Sequence, residues 1–254
     1  MTDVADWWQT SIIDMAPGRI DIRGRPIQDL IGTLSFPQMI WLMLRGEVPS
    51  DGQARLLEAA LVAAVDHGPQ APSIAAARMA VTCGVGLNNA MATAVNMLGD
   101  VHGGAGEQAV ALYHLAAERG VEAALADWQQ AQGPFIPGFG HRFHKPVDPR
   151  APRLLALVDE AAASGTCTGQ MAGIAREIEA ALARAKGKPV PMNIDGATAV
   201  IFAELGFEAP LARGVFCLSR SVGILAHAWE QQQQGGRNKG PTPPAYRWTY
   251  TGDG

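Results

Sequence analysis

Gly104-Ala105-Gly106-Glu107-Gln108-Ala109-Val110-Ala111-Leu112-Tyr113-His114-Leu115-Ala116-Ala117-Glu118-Arg119-Gly120 is the stretch that sets the fold class. It is rich in Ala and Leu, ends on Gly and contains no Pro, so it reads as a helix. The same texture recurs at about 52–66, 73–98, 121–131, 151–163, 169–185, 196–205 and 208–233, each segment cut off by Gly, Pro or Asp. Ala at this density lets helices approach closely, which suits a multi-helix bundle better than a sheet with crossovers. The expectation is an all-α chain.

Toward the N-terminus the pattern changes. Thr10–Arg23 alternates apolar and polar residues about Pro17-Gly18, the signature of a short hairpin. Beyond Gly24, apolar residues at Ile27, Leu30, Ile31 and Leu34, then at Met39, Ile40, Leu42, Met43 and Leu44, take helical spacing with a break. Two helices are therefore expected to meet near Ser35–Pro37. At the other end, Gln231–Gln234 is a short low-complexity run, and 235–254 reads as an irregular Pro- and Gly-rich tail. The expected plan is one domain over 1–254, with about 151–205 forming a small helical subdomain and the rest a large one.

The 254 residues are 48% hydrophobic and 17% charged, enough to bury a sizeable core. A formal net charge of -4 supplies no basic field, so a nucleic-acid partner is not expected. Cys83, Cys167 and Cys217 are odd in number and far apart, as reduced thiols are. The N-terminal Met1–Trp7 carries early acids instead of the basic region of a signal peptide. Val215–Trp229 is apolar but interrupted by Arg220 and His227, short of a spanning segment. These features together predict a cytoplasmic protein with no membrane partner.

Three stretches interrupt the helical rhythm with ionisable residues: Val101-His102-Gly103-Gly104-Ala105, Pro137-Gly138-Phe139-Gly140-His141-Arg142 and Met192-Asn193-Ile194-Asp195-Gly196. Each adjoins a helix end, where Gly permits close approach of a ligand and ionisable groups can share a cleft. In this order they resemble the citrate synthase family, as do Asp148-Pro149-Arg150, Ser219-Arg220-Ser221-Val222-Gly223 and Tyr250-Thr251-Gly252. The likeness runs from about residue 20 to the end. Within the family, Asp66-His67-Gly68-Pro69, Gly140-His141-Arg142 and Gly196 are similar to the citryl-CoA lyases, including the lyase module of ATP-citrate lyase. Citrate-forming members usually carry Asn where this chain has Gly106, an aromatic where it has Gly196, and extra N-terminal helices. His102 points the other way, since it is the citrate synthase residue and the lyase module does not keep it.

The resemblance implies a fold, a bundle of large and small helical subdomains, and a chemistry, cleavage of citryl-CoA to acetyl-CoA and oxaloacetate. It implies that His141 takes the hydroxyl proton, His102 hydrogen-bonds the thioester oxygen and Asp195 protonates the enol carbon. His titrates near neutrality and a buried carboxyl is raised, so these residue types suit acid–base work. His67, Arg142, Arg150 and Arg220 match positions that hold the substrate carboxylates. A further Arg, Arg237 or Arg247, is expected to reach the site of a neighbouring subunit in a homodimer or higher homo-oligomer. Lys186 and Lys188 are candidates for the CoA phosphates. CoA enters as a thioester substrate, and no metal or tightly bound cofactor is expected. The competing chemistry is condensation of an acyl-CoA with oxaloacetate or a related 2-oxo acid, and a third reading is a catalytically silent assembly subunit.

Plainer roles compete residue by residue. Asp195 before Gly196 is a plausible N-cap for a helix from about 197. Arg150 and Arg220 are also typical of paired surface charges. His141-Arg142-Phe143-His144 has a His-x-x-His spacing, but no Cys or Glu completes a zinc set. His114 and His227 read as core or surface residues.

Overall fold

The computed structural model describes Val4 and residues 7–141 and 146–252. Three short strands come first: β1 (Ile13–Ala16), β2 (Arg19–Ile22) and β3 (Arg25–Pro26), antiparallel in the order β1-β2-β3. The expected hairpin is present and a third strand extends it, because Arg23 and Gly24 turn the chain back once more at positive φ.

Helices account for nearly all the rest. They are α1 (Ile27–Leu30), α2 (Phe36–Arg45), α3 (Asp51–Ala64), α4 (Pro72–Thr82), α5 (Leu87–Val95), α6 (Ala105–Arg119), α7 (Val121–Gln132), α8 (Arg150–Ala163), α9 (Gln170–Lys186), α10 (Ile194–Glu204) and α11 (Ala209–Gln234). Ser35 and Ser50 open α2 and α3 with reciprocal capping boxes to Gln38 and Gln53, satisfying main-chain donors that would otherwise be orphaned. The single helix expected over 73–98 is in fact two. Gly84 at φ 88° cannot continue a right-handed helix, so the chain breaks and restarts at Leu87.

α10 lies at the centre. It is apolar on every side and buried from Gly196 to Ala203, packed between α3, α6, α8 and α9. Phe202 at its C-terminal end meets Phe207, which stands edge-on to Trp41 at 5.4 Å. α11 is 26 residues long and, by length and composition alone, apolar enough to cross a bilayer. Here it packs on α3, α4, α5 and α6, and Arg220 is buried at its middle. The N-terminus of α10 and the middle of α11 are thereby fixed relative to one another, and the candidate site lies between them.

Candidate active site

The N-terminus of α10 shows why Asp195 is available for chemistry. The cap is Asn193, whose side chain accepts from the main-chain N–H of Asp195 (3.0 Å) and Gly196 (3.2 Å). This corrects the reading of Asp195 as the cap: Asn193 already satisfies those donors, and the Asp195 carboxylate makes no hydrogen bond among the described residues. Burial pushes its carboxyl above the ordinary value, opposed by the charges of Arg220 and Arg150.

His141 is held against this helix end by the backbone. Gly140 N–H donates to Pro191 O (2.7 Å), Asn193 N–H to Gly138 O (2.9 Å), and the Asn193 side chain to Gly140 O (2.8 Å). The two loops approach so closely that a Cβ on Gly196 would lie 2.3 Å from Gly138 O. No side chain can follow Asp195 without moving the loop that carries His141.

His102 precedes α6 and turns toward α4. The main-chain N–H of buried Ser73 donates to His102 Nε2 at 3.2 Å, and Ser73 Oγ stands 2.9 Å from the same nitrogen. A nitrogen that accepts an N–H carries no proton, so His102 is the neutral tautomer with its proton on Nδ1. Burial lowers its pKa and the charge of Arg220 lowers it further. The loop itself is pinned by Arg213, which pairs with Asp100 (2.5 Å) and with Glu107 in the first turn of α6.

The remaining charges converge on the same space. Arg150 is gripped by buried Asp148, through Nε (3.0 Å), Nη2 (2.8 Å) and its own main-chain N–H (3.1 Å). Arg220 donates from Nε to Ala64 O (3.1 Å) and stacks on Phe216, while its terminal nitrogens make no hydrogen bond among the described residues. The His67 and His141 rings meet edge-on with centroids 6.2 Å apart. Burial lowers the pKa of His67, and Arg220, Arg150 and His141 lower it further. Arg220 thus lies within electrostatic reach of His67, His102 and Asp195.

The structure therefore brings together His67, His102, His141, Arg150, Asp195 and Arg220. An open cleft of about 630 Å³ begins at Gly140 and His141 and is lined by Pro146, Lys188, Pro189, Val190 and Pro191. Lys188 borders it; Lys186, the last residue of α9, is exposed outside that lining. Arg237 and Arg247 are exposed in the tail, which is tied to α4 by Asn238 N–H to Thr82 O (3.0 Å). No described interaction links either to the six grouped residues. Arg142 lies outside the described residues. Among the described residues no group of three or more His, Cys, Asp or Glu is placed to hold a metal.

Sequence reasoning missed four contributors. Ser73 and Asn193 act through main-chain or cap contacts that composition does not reveal. Asp148 was within a quoted motif, and its spacing of two from Arg150 at a helix start was the available signal. Asp66, next to His67, accepts the Gly68 N–H and meets His227, a contact that sequence proximity does not show.

A buried carboxyl, the imidazoles of His67, His102 and His141 and the guanidinium groups of Arg150 and Arg220 are thus linked by ring contact or mutual electrostatic influence, a set of residue types suited to acid–base chemistry on an anionic substrate. The chain belongs to the citrate synthase family: the family model "Citrate synthase, C-terminal domain" matches residues 43–243. The structure is similar to that of citryl-CoA lyase from Hydrogenobacter thermophilus, with TM-score 0.86 and 35% identity, covering 98% of this chain and 96% of that one. It shares its fold with ATP citrate lyase from Methanothrix soehngenii, solved with citrate and coenzyme A (TM-score 0.82, 22% identity, 97% of this chain and 42% of that one). In sequence it is 30% identical over 258 residues to a citrate synthase from Acidithiobacillus ferridurans, covering 99% of this chain and 61% of the relative. The chain spans about half to three fifths of the length of the curated citrate synthases it matches.

Proposed function

We propose that the protein is a citryl-CoA lyase that cleaves citryl-CoA to acetyl-CoA and oxaloacetate. In this reading Arg150, Arg220 and His67, with Arg142, hold the citryl carboxylates, and the thioester arm lies in the cleft past Lys188. His141 takes the tertiary hydroxyl proton, and the carbon–carbon bond breaks as the carbonyl of oxaloacetate forms. The electron pair passes to the thioester enolate, whose oxygen receives the Nδ1–H of His102. Asp195, whose raised pKa favours the acid form, delivers a proton to the enol carbon. Hydrogen bonds aimed at a developing oxyanion in a dry site lower such barriers by a few kcal/mol each.

The observation that carries the direction is the contact of Gly196 with Gly138 O, which leaves no space for the aromatic usual at this position in citrate-forming members. Near-complete mutual coverage with a citryl-CoA lyase supports the same reading. A second reading, condensation of an acyl-CoA with oxaloacetate, is favoured by the presence and tautomer of His102. Product analysis on citryl-CoA tests the choice. Acetyl-CoA and oxaloacetate in equal amounts support the lyase; citrate and free CoA from citryl-CoA, with thiol release from acetyl-CoA plus oxaloacetate, would overturn it.

A homodimer belongs to the same proposal. Leu218, Val222, Leu225 and Trp229 form an exposed apolar stripe along α11, suited to a second copy of this helix. Arg237 or Arg247 would then reach the partner's site from the exposed tail.

A further inference from the structure

We propose that His227, about two turns along α11 from Arg220, is a positioning residue for His67, acting through Asp66 and itself fixed by Arg78. The inference rests on the reading of His67 as a substrate-carboxylate ligand. Arg78 Nη1 lies 3.1 Å from His227 Nδ1. A guanidinium can only donate, so Nδ1 carries no proton and the imidazole proton resides on Nε2. That Nε2 stands 3.2 Å from Asp66 Oδ1, to which it donates. Asp66 Oδ2 in turn accepts the main-chain N–H of Gly68 at 3.1 Å.

Arg78 has no freedom to reverse this order. Its guanidinium also donates to Glu230 (2.5 Å) and Gln234 (2.8 Å), one and two turns beyond His227 on α11. The turn carrying His67 is additionally pressed onto the helix at Gly223, where a Cβ would lie 2.2 Å from Val65 O. Asp66 is partly buried, which raises its carboxyl, yet hydrogen bonds from the Gly68 N–H, His227 and the His67 N–H hold it below the ordinary range. The Asp66 carboxylate therefore receives the amide that follows His67, and its own direction is set by His227. His67 is exposed, with the charges of Arg220 and Arg150 and the ring of His141 as its neighbours, and this turn carries its backbone. His227 itself touches none of the groups placed at the cleft.

The test is a double-mutant cycle on citryl-CoA turnover. His227→Leu should raise KM at least tenfold with kcat within threefold, since it disturbs a carboxylate contact shared by bound substrate and transition state. In a His67→Ala background the same change should add less than twofold. His227→Gln, whose amide can still donate to Asp66, should restore KM to within threefold of the parent. Equal KM effects in both backgrounds, or no KM effect, would overturn the proposal. Should His227→Leu fail to fold, Arg78→Met takes its place with the same expectations. If the parent protein does not turn over citryl-CoA, the proposed function fails instead. The positioning claim is then judged by ¹⁵N NMR of His227: an unprotonated Nδ1 is expected, and a protonated one contradicts it.

Discussion

Ser73 donates its main-chain N–H to Nε2 of His102 across 3.2 Å, and this contact decides what His102 can do. The imidazole is a neutral donor at Nδ1 and not a cationic acid. A protonated Nε2 would face an N–H that cannot turn away, because it belongs to the first turn of α4.

His102 should accordingly stay neutral to a lower pH than an ordinary His, which titrates near pH 6.5. Its folded pKa is lowered, so on acidification the unfolded chain takes up the proton first, and stability falls as pH drops through about 6.5. Ring ¹⁵N chemical shifts followed from pH 8 to 5 should report an unprotonated Nε2 throughout the upper half of that range. A cationic ring at pH 6.5 would count against the assigned tautomer.

Asp195→Asn should stabilise the protein at neutral pH. The folded pKa of Asp195 is raised, first by burial, so the folded state favours the protonated form and loses stability as pH rises through that value. A neutral isostere removes this cost. Thermal melts should show a higher midpoint for the variant at pH 8, the gain shrinking toward the ordinary carboxylate range. A lower midpoint at pH 8 would mean that the lost attraction to Arg220 and Arg150 dominates.

Arg220→Lys should raise KM for the citryl thioester at least tenfold. Lysine keeps the charge but loses the Nε bond to Ala64 O, the stacking on Phe216 and the planar fork for a carboxylate. Steady-state kinetics measures this, and an unchanged KM would remove Arg220 from the substrate contacts.

Gly196→Ala should destabilise by about 1–3 kcal/mol through overpacking against Gly138 O. Gly173→Ala, in open space inside α9, is the matching control and should stabilise by about 0.5–1 kcal/mol. Denaturant midpoints of the two variants should move in opposite directions.

The helical architecture was legible because Ala-rich segments between Gly and Pro punctuation leave few alternatives, and the hairpin because Pro17-Gly18 divides alternating residues. The break at Gly84 was not, since one Gly inside an apolar run reads equally well as tolerated or as terminating. At the site, His102, His141 and Asp195 were visible through the glycine-flanked motifs. What orients them was not. Ser73 acts through its main chain, Asn193 displaces Asp195 from the cap by accepting both amides first, and Asp66 reaches His227 across 161 residues that only the packing of α11 brings together. Sequence spacing carries residue type, whereas these roles depend on which atom of a side chain faces which neighbour.

Release of oxaloacetate from citryl-CoA by the parent protein and by Asp195→Asn, side by side, tests the account most directly. Stoichiometric oxaloacetate and acetyl-CoA from the parent, with turnover at least about a hundredfold slower in the variant, is the predicted result. A variant slowed by less than about tenfold, roughly 1.4 kcal/mol of barrier, would contradict the role given to Asp195 and with it the proposed cleavage mechanism.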